Sequence, residues 1–127
     1  MKSYFSSPVW LEQNNDGKTW TVVESFNYYS ELLNNVITVP KGFKTDLASI
    51  PRFLWSLGFA PFGKYTDAAI VHDYLYTLQP CPRKDADRVL LEAMEVLGVG
   101  RFQMYTIYQA VRLFGGFYWT KRTTQLT

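Results

Sequence analysis

The apolar residues of this chain change period once, near Ile50, and that change restricts the fold more than any single motif does. Before it, the segments "PVWLEQ", "KTWTVVESFNYY" and "NVITVPKGF" are rich in β-branched and aromatic residues, which suit a pleated, half-buried surface. Asn14-Asn15-Asp16-Gly17 separates the first two and reads as a hairpin turn. An antiparallel sheet is therefore expected within residues 1–48. After the change the spacing is helical. Pro51 suits a first helical turn, and Phe53, Leu54 and Leu57 share one face of a short helix ending at Gly58. Three helices follow. The first starts near Thr66, a capping candidate, and ends at Leu78, because Pro80 and Pro82 forbid its continuation. The second, "RKDADRVLLEAMEVLG", puts Ala86, Val89, Leu90, Ala93, Met94 and Leu97 on one stripe and stops at Gly98. The third, "RFQMYTIYQAVRLFGG", does the same with Met104, Ile107, Tyr108, Val111 and Phe114, and Gly115-Gly116 reads as its stop. Strands first and helices after point to an α+β fold, with residues 49–120 mainly helical and 121–127 a tail.

A chain of 127 residues can bury one respectable core, so a single domain over 1–127 is expected. Hydrophobic residues make up 47% and charged residues 19%, too apolar a balance for a disordered segment. The net charge of +2 is far below that of proteins held to nucleic acid mainly by phosphate contacts. No run approaches the roughly 18 apolar residues of a membrane span, and no apolar run follows Lys2, so neither a signal peptide nor a transmembrane segment is expected. The lone Cys81 has no partner for a disulfide within the chain, which suits a reducing compartment.

The stretch "KYTDAAIVHDYLYTL" holds the only histidine, His72, within an otherwise apolar helix. Helical spacing sets His72 on a face with Ala69 and Tyr76, so it points inward. Asp73 is rotated by about 100° and cannot simply pair with it. Asp85 or Asp87, on the helix that the Pro80–Pro82 loop folds back alongside, is the candidate partner. Such a carboxylate would fix the imidazole tautomer, as a general base requires. A hydrogen-bonded core histidine has the same sequence signature, and both readings stand.

The connection "VPKGFKTDLASIPRFLW" carries Thr45, Asp46, Ser49 and Arg52 between strand and helix, where functional groups often gather. In the structural reading, Asp46 or Ser49 caps the helix near Pro51 and Arg52 is a surface cation. One His and one Cys cannot supply the usual zinc ligands. Oxygen donors remain, and Asp46 and Asp73 are the candidates for holding Ca²⁺ or Mg²⁺, although no cofactor is firmly implied. Ser49 lacks a G-x-S-x-G turn, Cys81 sits between two prolines, and Gly115-Gly116 follows a helix instead of opening one, so neither a nucleophilic triad nor a phosphate loop is indicated.

Three pieces in register, "GFKTDLASIPRFLW", "AAIVHDYLY" and "RKDAD…AM…GV…AVRLFG", resemble a phage- and prophage-encoded family known as domain of unknown function 1353. The resemblance runs from about Val39 to Phe114. It implies a viral gene, and it singles out Thr45, Asp46, Pro51, Arg52, His72, Asp73, Tyr76, Arg83, Asp87 and Arg112. "DAAIVHDYLY…DADRVL" is also similar to the helix pair of secreted and parvoviral phospholipases of the A-two type, whose motif reads H-D-x-x-Y. That likeness implies His72 as the base that activates water, Asp73 as a calcium ligand and Asp87 as the orienting carboxylate. The glycine-rich calcium loop and the disulfide framework of those enzymes are missing here.

Two classes of function follow. In the first, His72, Asp87 and Arg52 form a catalytic set supported by Asp46, Asp73, Thr45, Tyr76, Arg83 and Asp85, and His72 activates water against an ester, amide or phosphodiester while Arg52 steadies the developing anion. In the second, the same residues are a buried salt-bridged network in a tail, connector or assembly protein, whose 9 Tyr, 9 Phe and 4 Trp line an interface. An effector that binds a host partner is a third reading. The expected setting is the host cytoplasm during infection, or the virion, with other phage proteins or a host factor as partners and the oligomeric state open.

Overall fold

The computed structural model describes residues 2–47 and 63–126. It is α+β, as the change of period implies. The short helix expected from Pro51 to Gly58 lies outside the described residues. Six short strands, β1 (Tyr4–Phe5), β2 (Leu11–Gln13), β3 (Trp20–Val22), β4 (Phe26–Ser30), β5 (Asn35–Val39) and β6 (Lys44–Thr45), precede three helices, α1 (Thr66–Leu78), α2 (Arg83–Val96) and α3 (Arg101–Leu126).

The strands form two antiparallel three-stranded sheets, ordered β1-β4-β5 and β2-β3-β6, where one sheet was expected. The segment "KTWTVVESFNYY" breaks at Val23–Ser25, so its two ends serve different sheets. The predicted turn is present: Leu11 faces Val22 and Gln13 faces Trp20 across it. Asp16 closes it by accepting the main-chain N–H groups of Lys18 and Thr19, and Gly17 takes the positive φ of 69° that the turn needs.

Alternation along β4 buries Phe26, Tyr28 and Ser30, and along β5 it buries Ile37 and Val39. That face packs on the helices through β4 against α2 and β5 against α1. Helix α1 is the centre of the molecule, meeting β5, β6, α2 and α3. Its residues are buried nearly all round, including Ala68 to Asp73, Leu75 and Tyr76, which is why its sequence is apolar on every side. Gln79 ends it in the left-handed region at φ 52°, returning its N–H to the Leu75 carbonyl just before Pro80. Thr66 is the first helical residue, not the cap, and its hydroxyl accepts the Gly63 N–H at 2.8 Å. Helix α2 closes with Gly98 at φ 76° and the Val99 N–H on the Met94 carbonyl, as its glycine predicts.

The third helix departs from expectation. It does not stop at Gly115-Gly116 but runs on to Leu126, so residues 121–126 are helical and not a tail. Phe114, assigned to its inward stripe, is exposed, and Gly115, four residues after Val111, is buried. Gly115 sits within the helix because a neighbour occupies the space a side chain would fill. A Cβ on Gly115 would stand 2.6 Å from the Tyr76 hydroxyl oxygen.

Candidate functional site

The centre of the site is Asp87, one turn into α2 and fully buried. Its Oδ1 lies 2.7 Å from His72 Nε2 and accepts the Tyr76 hydroxyl at 2.6 Å. Its Oδ2 accepts Arg112 at 2.6 Å and Arg83 at 3.4 Å. Four donors from three helices thus converge on one carboxylate. His72 and Tyr76 are one turn apart on α1, Arg83 is one turn before Asp87 on α2, and Arg112 comes from α3. The i to i+4 spacing of the first two pairs is what stacks them on common faces.

Each position follows from the local sequence. The Pro80–Pro82 loop turns the chain, and Pro82 enters α2 with an extended backbone, bringing Asp87 back beside His72. Tyr76 is fixed by an edge-on contact with Trp119, ring centroids 5.1 Å apart, and packs against the His72 ring at 4.3 Å. Gln79 ties the same corner by donating to the Trp119 carbonyl. Arg83 also reaches the Val111 and Arg112 carbonyls at 3.4 and 3.5 Å. Gly115 and Trp119 are members of this corner that the sequence does not reveal, because a glycine pair after an apolar stripe has the signature of a helix end. Extending its inward stripe by four residues from Val111 would have found Gly115.

Burial alone would raise the Asp87 carboxyl, but hydrogen bonds and charge from His72, with the hydrogen bonds of Tyr76 and Arg112, outweigh it and hold the group below its ordinary value of 3.8. Asp87 is therefore a carboxylate. Burial, followed by the hydrogen bond to Asp87, pushes the Tyr76 phenol far up, so it stays a neutral donor. With Asp87 ionised, His72 donates from Nε2, and in the neutral ring the basic lone pair is at Nδ1. The His72 residue is 1% exposed, whereas the Arg83 and Arg112 side chains are 24% and 29% exposed, so the network reaches the surface through its arginines.

The other candidates are placed differently. Arg52 lies outside the described residues. Asp85 is half-buried in the first turn of α2; after burial, it and Asp87 contribute to pushing the Cys81 thiol up. Asp73 is buried on α1 beside His72. Thr45 is buried in β6 and its hydroxyl accepts the Leu47 N–H at 3.0 Å. That bond accompanies a left-handed Leu47, φ 59°, whose side chain is fully buried while Asp46 is exposed. Among the described residues, no three His, Cys, Asp or Glu side chains come together as a metal site would need.

Comparison with known proteins bears on these positions. A family model described as "Protein of unknown function (DUF1353)" matches residues 20–111, which include His72, Tyr76, Arg83 and Asp87. The chain is also 35% identical over 78 residues to the "Uncharacterized protein y4jT" of Sinorhizobium fredii (strain NBRC 101917 / NGR234). That match covers 61% of this chain and 23% of the relative, so the chain corresponds to less than a quarter of the relative's length. No solved structure matches.

Proposed function

The chain belongs to the DUF1353 family of proteins of unknown function, and we propose that it is a hydrolase of carboxylic esters in which His72 is the general base. The observation that carries this reading is the pair His72 Nε2–Asp87 Oδ1 at 2.7 Å, with Tyr76 holding the same oxygen at 2.6 Å. A carboxylate fixed in this way selects the imidazole tautomer whose Nδ1 is basic. Nδ1 takes a proton from water as the water oxygen attacks the ester carbonyl. The imidazolium so formed is stabilised by Asp87, which stays ionised, and the proton passes to the departing alkoxide. Arg52 is the cation that the sequence offers for the oxyanion. The likeness of the H-D-x-x-Y helix to phospholipases supports an ester substrate and makes Asp73 the residue that would help hold a Ca²⁺ ion. The described donors do not complete such a site, and no step above is routed through a metal. The resemblance to phage and prophage genes supports action during infection of a bacterial host.

A second reading is favoured by the burial of His72 and Asp87: a non-catalytic virion or assembly protein in which the network only locks the helices. Glutamine at position 72 separates the two, because its amide can still donate to Asp87. The purified protein is assayed by fatty-acid release and by chromogenic acyl esters, with and without Ca²⁺. In the hydrolase, His72→Gln lowers turnover by about 10²- to 10⁴-fold with little change in melting temperature. Wild-type protein inactive on every ester under both conditions overturns the hydrolase reading.

A further inference from the structure

Helix α3 has a second face, remote in role from the Asp87 cluster. Phe102, Leu113 and Phe117 are 80%, 74% and 71% exposed, and Tyr105 is half exposed. At about 100° per residue these four positions fall on one side of the helix, opposite the buried Met104, Ile107 and Val111. A shallow groove runs along that side, lined by Arg101, Phe102, Tyr105, Gln109 and Leu113. Large exposed apolar side chains aligned in this way mark a binding surface.

The charge on the helix says what kind. Between Arg101 and Leu126 there is no Asp or Glu, while Arg101, Arg112, Lys121 and Arg122 are cationic. Arg112 is committed to Asp87. Arg101 and Lys121 are exposed and flank the apolar stripe on its two sides. A second copy of the helix is a poor occupant. Parallel pairing sets Arg101 near Arg101, antiparallel pairing sets Arg101 near Lys121, and neither finds an anion on the opposing helix. No helix among the described residues is long and apolar enough to cross a membrane. A stripe of Phe, Leu and Tyr between basic flanks is instead the pattern of a helix that lies in the plane of a lipid surface, with its cations at the headgroups.

We propose that the Phe102–Leu113–Phe117 face of α3 docks on an anionic membrane surface, its aromatic side chains entering the headgroup boundary and Arg101 and Lys121 meeting lipid phosphates. This binding does not depend on the ester chemistry and is read without it. The protein is floated with phosphatidylglycerol-containing vesicles and with pure phosphatidylcholine vesicles. Wild-type protein and His72→Gln should partition equally well to the anionic vesicles and release at about 0.5 M salt, where charges are screened beyond a few ångströms. Phe102→Ser with Phe117→Ser should lower partition to all vesicles by tenfold or more. Arg101→Gln with Lys121→Gln, which removes no apolar contact, should lower it by about tenfold on anionic vesicles only. Failure of wild-type protein to bind either vesicle overturns the proposal. So does sedimentation showing a wild-type dimer that the two serine changes convert to a folded monomer, because a second copy then covers the face.

Discussion

At the scale of single residues, two adjacent glycines in one helix have opposite meanings. A methyl group on Gly115 meets the Tyr76 oxygen at 2.6 Å, whereas on Gly116 the nearest atom is Arg83 Cζ at 3.9 Å, an ordinary contact. Gly115→Ala should therefore push Tyr76 away from Asp87 and cost about 1–3 kcal/mol, measured by urea denaturation. Gly116→Ala should be neutral or stabilise by up to about 1 kcal/mol, because alanine loses less entropy in a helix. Equal effects of the two changes would refute the close approach. This pair also marks where the sequence was legible and where it was not. His72 pointing inward and its pairing with a carboxylate at the start of the next helix followed from helical spacing and a proline-bounded loop, while the structure selects Asp87 over Asp85. Gly115 did not, because a glycine pair after an apolar stripe is the ordinary sign of a helix end, and only the facing Tyr76 gives it another reason to be there. The left-handed Leu47 was equally silent, since leucine carries no signal for positive φ.

Among the elements, the link between sheet and helices rests on Glu92 of α2. Its Oε1 accepts the Tyr28 hydroxyl at 2.7 Å and the Ser30 hydroxyl at 2.8 Å, and its Oε2 accepts the Leu32 N–H at 2.8 Å. One carboxylate thus binds β4 and the β4–β5 turn to α2. Burial, followed by the bond to Glu92, pushes the Tyr28 phenol up, so Tyr28 remains a donor. Glu92→Ala leaves two hydroxyls and an N–H without this acceptor and should cost about 2–3 kcal/mol. Hydrogen exchange should show the loss concentrated in β4 and β5. A uniform loss over the helices, with the hairpin unaffected, would count against this role. Element types were readable from the sequence, as were the stops at Pro80 and Gly98, because each rests on local chemistry. The division into two sheets was not, because it turns on a bend at Val23–Ser25 within one continuous β-prone run. Glu92 was hidden for a related reason: its partners lie 60 or more residues earlier in the chain.

For the molecule as a whole, Asp87 gathers hydrogen-bond donors from all three helices onto one buried carboxylate. Replacing it with asparagine removes the anion from two arginines and should cost about 3–5 kcal/mol, a large part of the roughly 5–15 kcal/mol that holds a typical domain. The acid limb of stability should change as well. Because the folded Asp87 carboxyl lies below 3.8, its contribution is complete above the unfolded value and declines as pH falls through the folded one. Chemical denaturation from about pH 6 down to about pH 2 should show this decline in the wild type and a flatter profile in Asp87→Asn. An identical slope in both would mean that Asp87 titrates alike in folded and unfolded chains. The convergence on Asp87 also has a consequence for descent. A lineage released from catalysis would still need a carboxylate at position 87 to satisfy its arginines, so selection for stability alone would preserve Asp87, Arg83 and Arg112. Position 72 is under a different constraint, since glutamine or asparagine could still donate to Asp87, whereas a base requires imidazole. Relatives that keep Asp87 but drift to glutamine or asparagine at position 72 would be the inactive branch, and histidine would persist where the reaction does.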